Sequence, residues 1–540
     1  MANVDKIFEL YDRIEGEKTT IIALWREIGE FMYPGQQDFY RYFASRANEN
    51  RRRRPIFDPT GEYSLGTFAS STIGLVANQA TKFMSFQPTN VELLEDREVQ
   101  LFMDEAQRKV LAVFNNPRTR FYTNLYTVAK LTGAFGTGML MMDIDEDNVI
   151  RFRSESPKNY NYTEDFTGSV DEVFFEREYT VAMLKSKAET DDWEIPGDIL
   201  SRNDDDKVRI VRHILRNPDF DPNAEFATVK TAKYHSNYYL KEEKTLIRQG
   251  FHNERPVAVS HWDRIENEKW PDSPGRVALG NVKMMQAADR AMIVAMEKEL
   301  KPTLFLSSEA KFGKLDTSAG AVNVGRGNPN DSVREMRTNG AGVTNAFAWM
   351  ETKRQQIRTA FYVDVFQTAM DINMTATEAA IRNQERLRSV APKMAKFQAD
   401  IIGPAAEMVL IELIRRGELI VPRALAEDPG ELRVSYMNPL AQAQRLEDAN
   451  NILQYFQDLA AVGQVYPEVF DRVDPDSVAT EMAEIRGVPE RIMRPKQTSG
   501  EDVGYQDIRE QRAQAQQQQQ ALQATQQVAE VAGAVQDIQG

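Results

Sequence analysis

His213, His235, His252 and His261 are the only histidines in the chain, and none has the spacing of a helical zinc site such as H-E-x-x-H. There is no cysteine in 540 residues. That removes disulfides, thiolate metal ligands and thiol nucleophiles together, and it fits a reducing compartment. No G-x-S-x-G and no Walker A motif occurs. Asp143/Asp145 and Asp204/Asp205/Asp206 lie in polar runs that read as solvated turns. "VGRGNPND" (324–331) has two glycines but lacks a phosphate-loop lysine. Gly133, Gly136 and Gly138 follow a helical pattern and precede "MLMMDI", the reverse of a dinucleotide loop, so they read as a helix stop and a close-packed turn. Arg51–Arg54 form one short basic run, readable as a nucleic-acid patch, a solvated loop or an inter-subunit ion-pair site. No nucleophile, base and orienting group can be assembled from these residues. The sequence therefore predicts no catalytic residue, no metal ligand and no cofactor, and points to a binding or structural role.

One local signal is strong. In "QTAMDINMTATEAAIRNQERLR" (367–388), Thr375 and Glu378 form a T-x-x-E capping box, in which the threonine and glutamate side chains each satisfy the other's backbone amide. The eight residues before it, Gln367 to Met374, carry a single charge, Asp371. A firm helix start directly after a nearly neutral segment needs a reason, which has to come from the elements around it.

Those elements are mainly helical at both ends of the chain and β-rich between. Residues 5–33 have helical apolar spacing up to Pro34, and helical patterns follow over 62–84, 97–115 and 119–132. From 139 to 260 the pattern is mostly β, with "VIRFRSES", "VDEVFFEREYTV", "KVRIVRHIL", "YHSNYYL" and "TLIRQGF" separated by Gly, Asn and Asp. "GNVKMMQAADRAMIVAMEKELKP" is apolar around most of a helix, which predicts burial from several sides over about 30 Å. A Gly/Asn/Ser/Thr-rich loop-and-strand segment covers 302–343. A second helix follows, with Phe347, Met350, Ile357 and Phe361 at helical spacing. The long helix after Thr375 should kink or restart at Pro392 and Pro404. The tail, 505–540, is rich in Gln and Ala, a marginal helix alone and a helical barrel when packed beside copies of itself. Composition is that of a globular protein, 42% hydrophobic and 27% charged, with net charge −15. The N-terminus has no apolar stretch of signal-peptide type, and the longest uncharged window, Tyr63–Thr81, is too polar for a bilayer span.

Taken in order, several segments resemble the portal proteins (head-to-tail connectors) of short-tailed bacteriophages, over nearly the whole chain. "LWREIGEFMYP" is similar to the family's N-terminal helix with its aromatic-Pro end. "FDPTGEYSLGTFASSTIGLV" is similar to its D-x-T-G segment, and "RFYTNLYTVAKLTGAFGTGMLMMDID" to its helix and F-G-T-G turn. "SPKNYNYTEDFTGSVDEVFFEREYT" resembles the wing hairpin, and "DSPGRVALGNVKMMQAADR" the start of the stem helix. "MTATEAAIR" resembles the helix start behind the tunnel loop, and "NPLAQAQR" the P-L-A segment of the C-terminal part. "MSFQPTNVEL" departs from the pattern in lacking a tryptophan before its strand.

The resemblance implies an α+β, mainly helical portal fold, assembled as a ring of about a dozen subunits around a DNA channel. It implies a wing (1–280 with 376–430), stem helices (281–301 and 344–363), a clip (302–343), a tunnel loop (364–375) and a crown with C-terminal barrel (431–540). Gln367, Thr368, Met370, Asp371, Asn373 and Met374 would then form the channel gate, with Thr375 and Glu378 as its rigid rear hinge. The clip would dock the terminase large subunit during packaging and the tail adaptor afterwards, with Lys311, Lys314, Arg326, Arg334 and Arg337 as candidate docking residues. Major capsid and scaffolding proteins would be further partners, and the site of action would be the virion's portal vertex after assembly in the host cytoplasm. Twelve copies at −15 would carry about −180, which repels DNA from most of a channel wall and keeps it mobile. Lys298, Lys301, Lys353, Arg354 and Arg358 are then candidate DNA guides, or inter-subunit partners of Glu297, Glu299 and Glu351. The alternatives are a tail or adaptor ring without a packaging role, and a packaging nuclease or NTPase. The latter would need converging carboxylates or a phosphate loop.

Replacing Thr375 and Glu378 with alanine should cost about 1 kcal/mol of helix start. Packaging and DNA-retention assays should show a larger defect than ring assembly does. If assembly fails first, the capping box is architectural.

Overall fold

The computed structural model describes residues 4–36, 56–90, 92–93, 96–144, 149–190, 193–220, 228–265, 268–300, 303–306, 333–336, 341–366, 388–427, 432–436, 449, 451–460, 462, 466, 473–486, 488, 493–494, 504–512 and 514–519. It is mainly helical α+β. Two compact units divide the chain: Met1–Gln79 with Phe114–Ile411, and Ala80–Val113 with Glu412–Gly540.

The larger unit opens with α1 (Val4–Met32) and α2 (Thr60–Val76). The smaller unit takes the next stretch, β1 (Met84–Pro88) and most of α3 (Arg97–Asn115). The helix expected over 62–84 thus ends at Val76, and Met84 already begins a strand. No charge marks the boundary, because Ala77–Thr81 is as uncharged as the helix before it. The larger unit resumes with α4 (Phe121–Phe135) and β2 (Thr137–Ile144). Between these two, Gly136 caps the helix with φ +82° and donates its amide to Thr132 O at 2.9 Å. A Cβ at Gly136 would sit 2.4 Å from Pro271 O, so both backbone sign and space demand glycine there.

Two antiparallel sheets follow. Strands β3 (Ile150–Glu155), β4 (Tyr160–Glu164) and β5 (Val170–Thr180) lead to α5 (Val181–Thr190) and the single turn α6 (Gly197–Leu200). Strands β6 (Lys207–Arg216), β7 (Tyr234–Leu240), β8 (Thr245–His252) and β9 (Val257–His261) complete the region. The sheets have strand orders β3-β2-β9 and β4-β5-β6-β7-β8. The β character expected for 139–260 holds, and "SPKNYNYTEDFTGSVDEVFFEREYT" forms the β4–β5 hairpin. The short helix α5 had no separate signal inside this β-rich stretch; Val181 and Leu184 bury against Trp193, Val208 and Ile210.

Then come α7 (Pro274–Leu300), the antiparallel strands β10 (Thr303–Leu306) and β11 (Val333–Met336), α8 (Ala341–Ala360) and the single turn α9 (Val363–Phe366). Helical residues 388–397 pass through a distinct turn into α10 (Gly403–Arg415). The smaller unit closes with α11 (Arg423–Glu427), β12 (Leu432–Tyr436), which pairs with β1, and α12 (Pro475–Ile485).

One core runs through the larger unit. It joins Trp25, Ile28 and Met32 of α1, Leu65 and Phe68 of α2, Leu131 and Phe135 of α4, Met285 and Met292 of α7, and Met350 and Ile357 of α8. Trp25 meets Trp270 edge-on at 5.0 Å, and Phe68 meets Trp262 at 5.0 Å. The one lysine in α1's buried face, Lys18, donates to the carbonyls of Lys158 (3.0 Å) and Tyr160 (3.1 Å), so it ties α1 to the start of β4. Burial pushes its pKa down to about 8, against the pull of Glu15 and Glu176.

Between pH 8 and 10.5 the unfolded chain keeps the Lys18 proton while the folded chain releases it. The unfolded state binds more protons in that window, and stability rises with pH by up to about 3 kcal/mol. Urea unfolding at pH 8 and 9.5 should show this rise in the wild type. Lys18→Met should flatten it, with a pH-independent loss from the two unpartnered carbonyls. Parallel pH curves would contradict the assignment.

Candidate functional site

The helix pair α7/α8 is where the predicted binding residues and the core meet. α7 starts at Pro274, inside the segment "DSPGRVALGNVKMMQAADR". Proline suits the first helical position, and Ser273 Oγ accepts the Arg276 amide at 3.0 Å as its cap.

Asp58 fixes the base of the pair. Its side chain is 3% exposed. One carboxylate oxygen accepts the Thr60 amide (2.9 Å) at the start of α2, and the other accepts Arg354 Nε (2.8 Å) from α8. Gln286 of α7 completes the bracket. Its Oε1 accepts the amides of Phe57 (2.8 Å) and Asp58 (3.4 Å), and its Nε2 donates to Asp58 O (2.6 Å). Arg354 also lies 3.6 Å from Asp289 of α7 and 3.6 Å from Glu351. Burial pushes Asp58 up, but the hydrogen bonds from Thr60 and Arg354 outweigh it and hold the carboxyl below its ordinary range. Asp289 is pushed up, first by burial and then by the Asp58 charge. One guanidinium therefore serves two carboxylates from different elements.

The outer surface of the pair is apolar. Met284, Ile293, Val294 and Met296 of α7 are 44–46% exposed, with Val277 more so, and Phe347 and Trp349 of α8 lie open as well. Within one chain Ala278, Leu279, Val282, Met285 and Met292 of α7 are buried, and Phe347 is exposed while Met350, Ile357 and Phe361 are buried. A groove of about 570 Å³ lies along α8, lined by Ala348, Glu351, Thr352, Gln355, Gln356 and Thr359.

Residues 4–493 match the family described as bacteriophage head to tail connecting protein. The chain belongs to that family. This connector is also 25% identical over 513 residues to the probable portal protein of Bordetella phage BPP-1, covering 93% of this chain and 90% of that one. It is 23% identical over 526 residues to the portal protein of Salmonella phage epsilon15, covering 95% and 92%. A chain of the neck of an empty gene transfer agent particle superposes at TM-score 0.38 with 11% identity, over 79% of this chain and 90% of that one, too slight a likeness to bear on the fold.

The connector's predicted basic residues fare differently from one another. Arg354 is engaged with Asp58 and Asp289 of its own chain. Arg358 pairs with Glu351 at 3.2 Å. Lys353 donates to Asn281 (3.3 Å) and Gln356 (3.0 Å) and lies over the Trp349 ring. Each of these contacts is made within one chain. Lys298 lies on α7 and Arg334 on β11, with side chains outside the described set. Lys301, Lys311, Lys314, Arg326, Arg337, Arg51–Arg54, the six gate residues, Thr375 and Glu378 lie outside the described residues.

The four histidines are spread among structural roles. His213 bonds Glu172 at 2.8 Å and stacks on Phe174; His235 bonds Val229 O at 2.7 Å. His252 lies 3.1 Å from Arg212, and His261 lies beside Asp400 and Glu164. Among the described residues no group of three or more His, Asp or Glu could hold a metal, and no helix is long and apolar enough to cross a membrane. Sequence reasoning missed Asp58, Gln286 and Asp289. The only signal for Asp58 was its place in the D-x-T-G segment.

Asp58→Ala removes an α2 cap and leaves Arg354 with one fewer carboxylate, so it should cost about 3 kcal/mol. Arg354→Lys should cost less, since it keeps the charge but loses the Nε geometry. Thermal unfolding of the two variants checks this order, and equal, negligible shifts would contradict it.

Proposed function

We propose that the chain is the portal of a phage capsid, a ring of identical subunits at one vertex that conducts double-stranded DNA during packaging and ejection. The match to the connector family over residues 4–493 carries this reading. Both curated relatives are named as portal proteins, one of them as probable, and each is covered over at least 90% of its length. In this reading α7 and α8 are the stem, the outer apolar face packs on the next subunit, and the segment between β10 and β11 belongs to the clip. The terminase large subunit and then the tail adaptor dock at the clip, and capsid and scaffolding proteins surround the wing.

The exposed apolar residues of α7 and α8 support a ring. Several large side chains left in water on one helix pair mark an interaction surface. Net charge −15 per copy suits a conduit that must not grip a polyanion. Arg354, held by buried Asp58, is set aside as a DNA guide; Lys298 and Lys301 remain, with Lys353 and Arg358 in more exposed intrachain contacts that a phosphate can replace. The gate at 367–374 and the hinge at Thr375/Glu378 complete the proposal.

Ile293→Glu and Met296→Glu place charges at two nearly half-exposed apolar positions toward the C-terminal end of α7. Sedimentation and negative-stain imaging should show wild-type rings of about a dozen subunits and a double variant shifted to small, folded species. A wild-type chain that stays monomeric would overturn the portal reading.

A further inference from the structure

Residues 388–415 do not form one regular α-helix. Gln398–Ile402 form a π-helical turn, closed by the Gly403 amide on Gln398 O. Pro404 supplies the cause. It has no N–H, and its ring would strike the carbonyl four residues back, that of Asp400, in an unbroken α-helix. A π turn holds one residue more than the same length of α-helix, so converting one to the other rotates what lies upstream by about 100°.

The side chains of this turn are anchored. Gln398 is buried and donates to Val76 O (3.3 Å) at the end of α2. Asp400 accepts the backbone amide of His261 (2.9 Å), the last residue of β9, and its carboxylate is 3.6 Å from the His261 ring. Ile401 and Ile402 fill the core between these anchors. Two long-range bonds thus hold the wide register in place at both ends.

We propose that Gln398–Ile402 is a register joint and that Asp400 and Gln398 are its positioning residues. Pro404 sets the wide turn, and they hold residues 388–397 at one rotation relative to α10. Loss of the Asp400 bond lets that rotation vary. The joint itself is a property of one chain.

Hydrogen–deuterium exchange of the purified full chain tests the joint directly. Asp400→Ala should speed exchange of the 398–403 amides about tenfold, from loss of one charge-assisted hydrogen bond, with α7 unchanged. Asp400→Asn keeps an acceptor and should restore most of the protection. Pro404→Ala lifts the bar to the α register and, combined with Asp400→Ala, should give slow, α-helical exchange through residue 404. Unchanged exchange in Asp400→Ala overturns the proposal, as does a rise spread over the whole chain, which would make Asp400 a general prop. A wild-type chain that forms no rings would sink the portal reading and leave this measurement intact.

Discussion

A carboxylate buried at the root of a helix pair cannot stay there uncompensated, and the larger unit is organised around that constraint. Asp58 sits in a dry position and must be paired. Its partners come from three places: the start of α2, Gln286 on α7 and Arg354 on α8. Each bond draws one element to the same point. The core residues Met285, Met350 and Ile357 then close over the inner side of the pair. Packing supplies most of the cohesion, while the buried ion pair fixes how the helices are set.

Among the described residues, the same arrangement leaves several large apolar side chains of the pair uncovered. Met284, Ile293, Val294 and Met296 stay nearly half exposed, while Val282, Met285 and Met292 pack inward. A helix pair held at its root and apolar on its outside needs a neighbour along its length. The connector family match and the exposed face therefore make one account, in which identical chains cover one another.

Much of this was legible in the residues. The span of α1 followed from apolar spacing ended by Pro34, and Gly136 was readable as a helix stop because a strand follows it. The β4–β5 hairpin carried period-two patterning around a turn. Other features had no local mark. Arg354 and Asp58 are 296 positions apart, and no pattern near either one predicts the other. β1 pairs with β12 from more than 340 positions along the chain, a partner that no local pattern names. Pro404 was rightly expected to disturb its helix, but only the fold shows the disturbance as a π turn anchored on β9. Which apolar side of α7 faces inward depends on Gln286 finding Asp58, a long-range fact that periodicity cannot contain.

A reconstruction of the assembled particle at side-chain detail tests the central claim most directly. The account predicts that Met284, Ile293, Val294 and Met296 are buried against the adjacent subunit, while Arg354 keeps Asp58 and Asp289 of its own chain. Apolar stem faces left in solvent in an assembled ring, or an Arg354 that crosses to a neighbour's carboxylate, would contradict it.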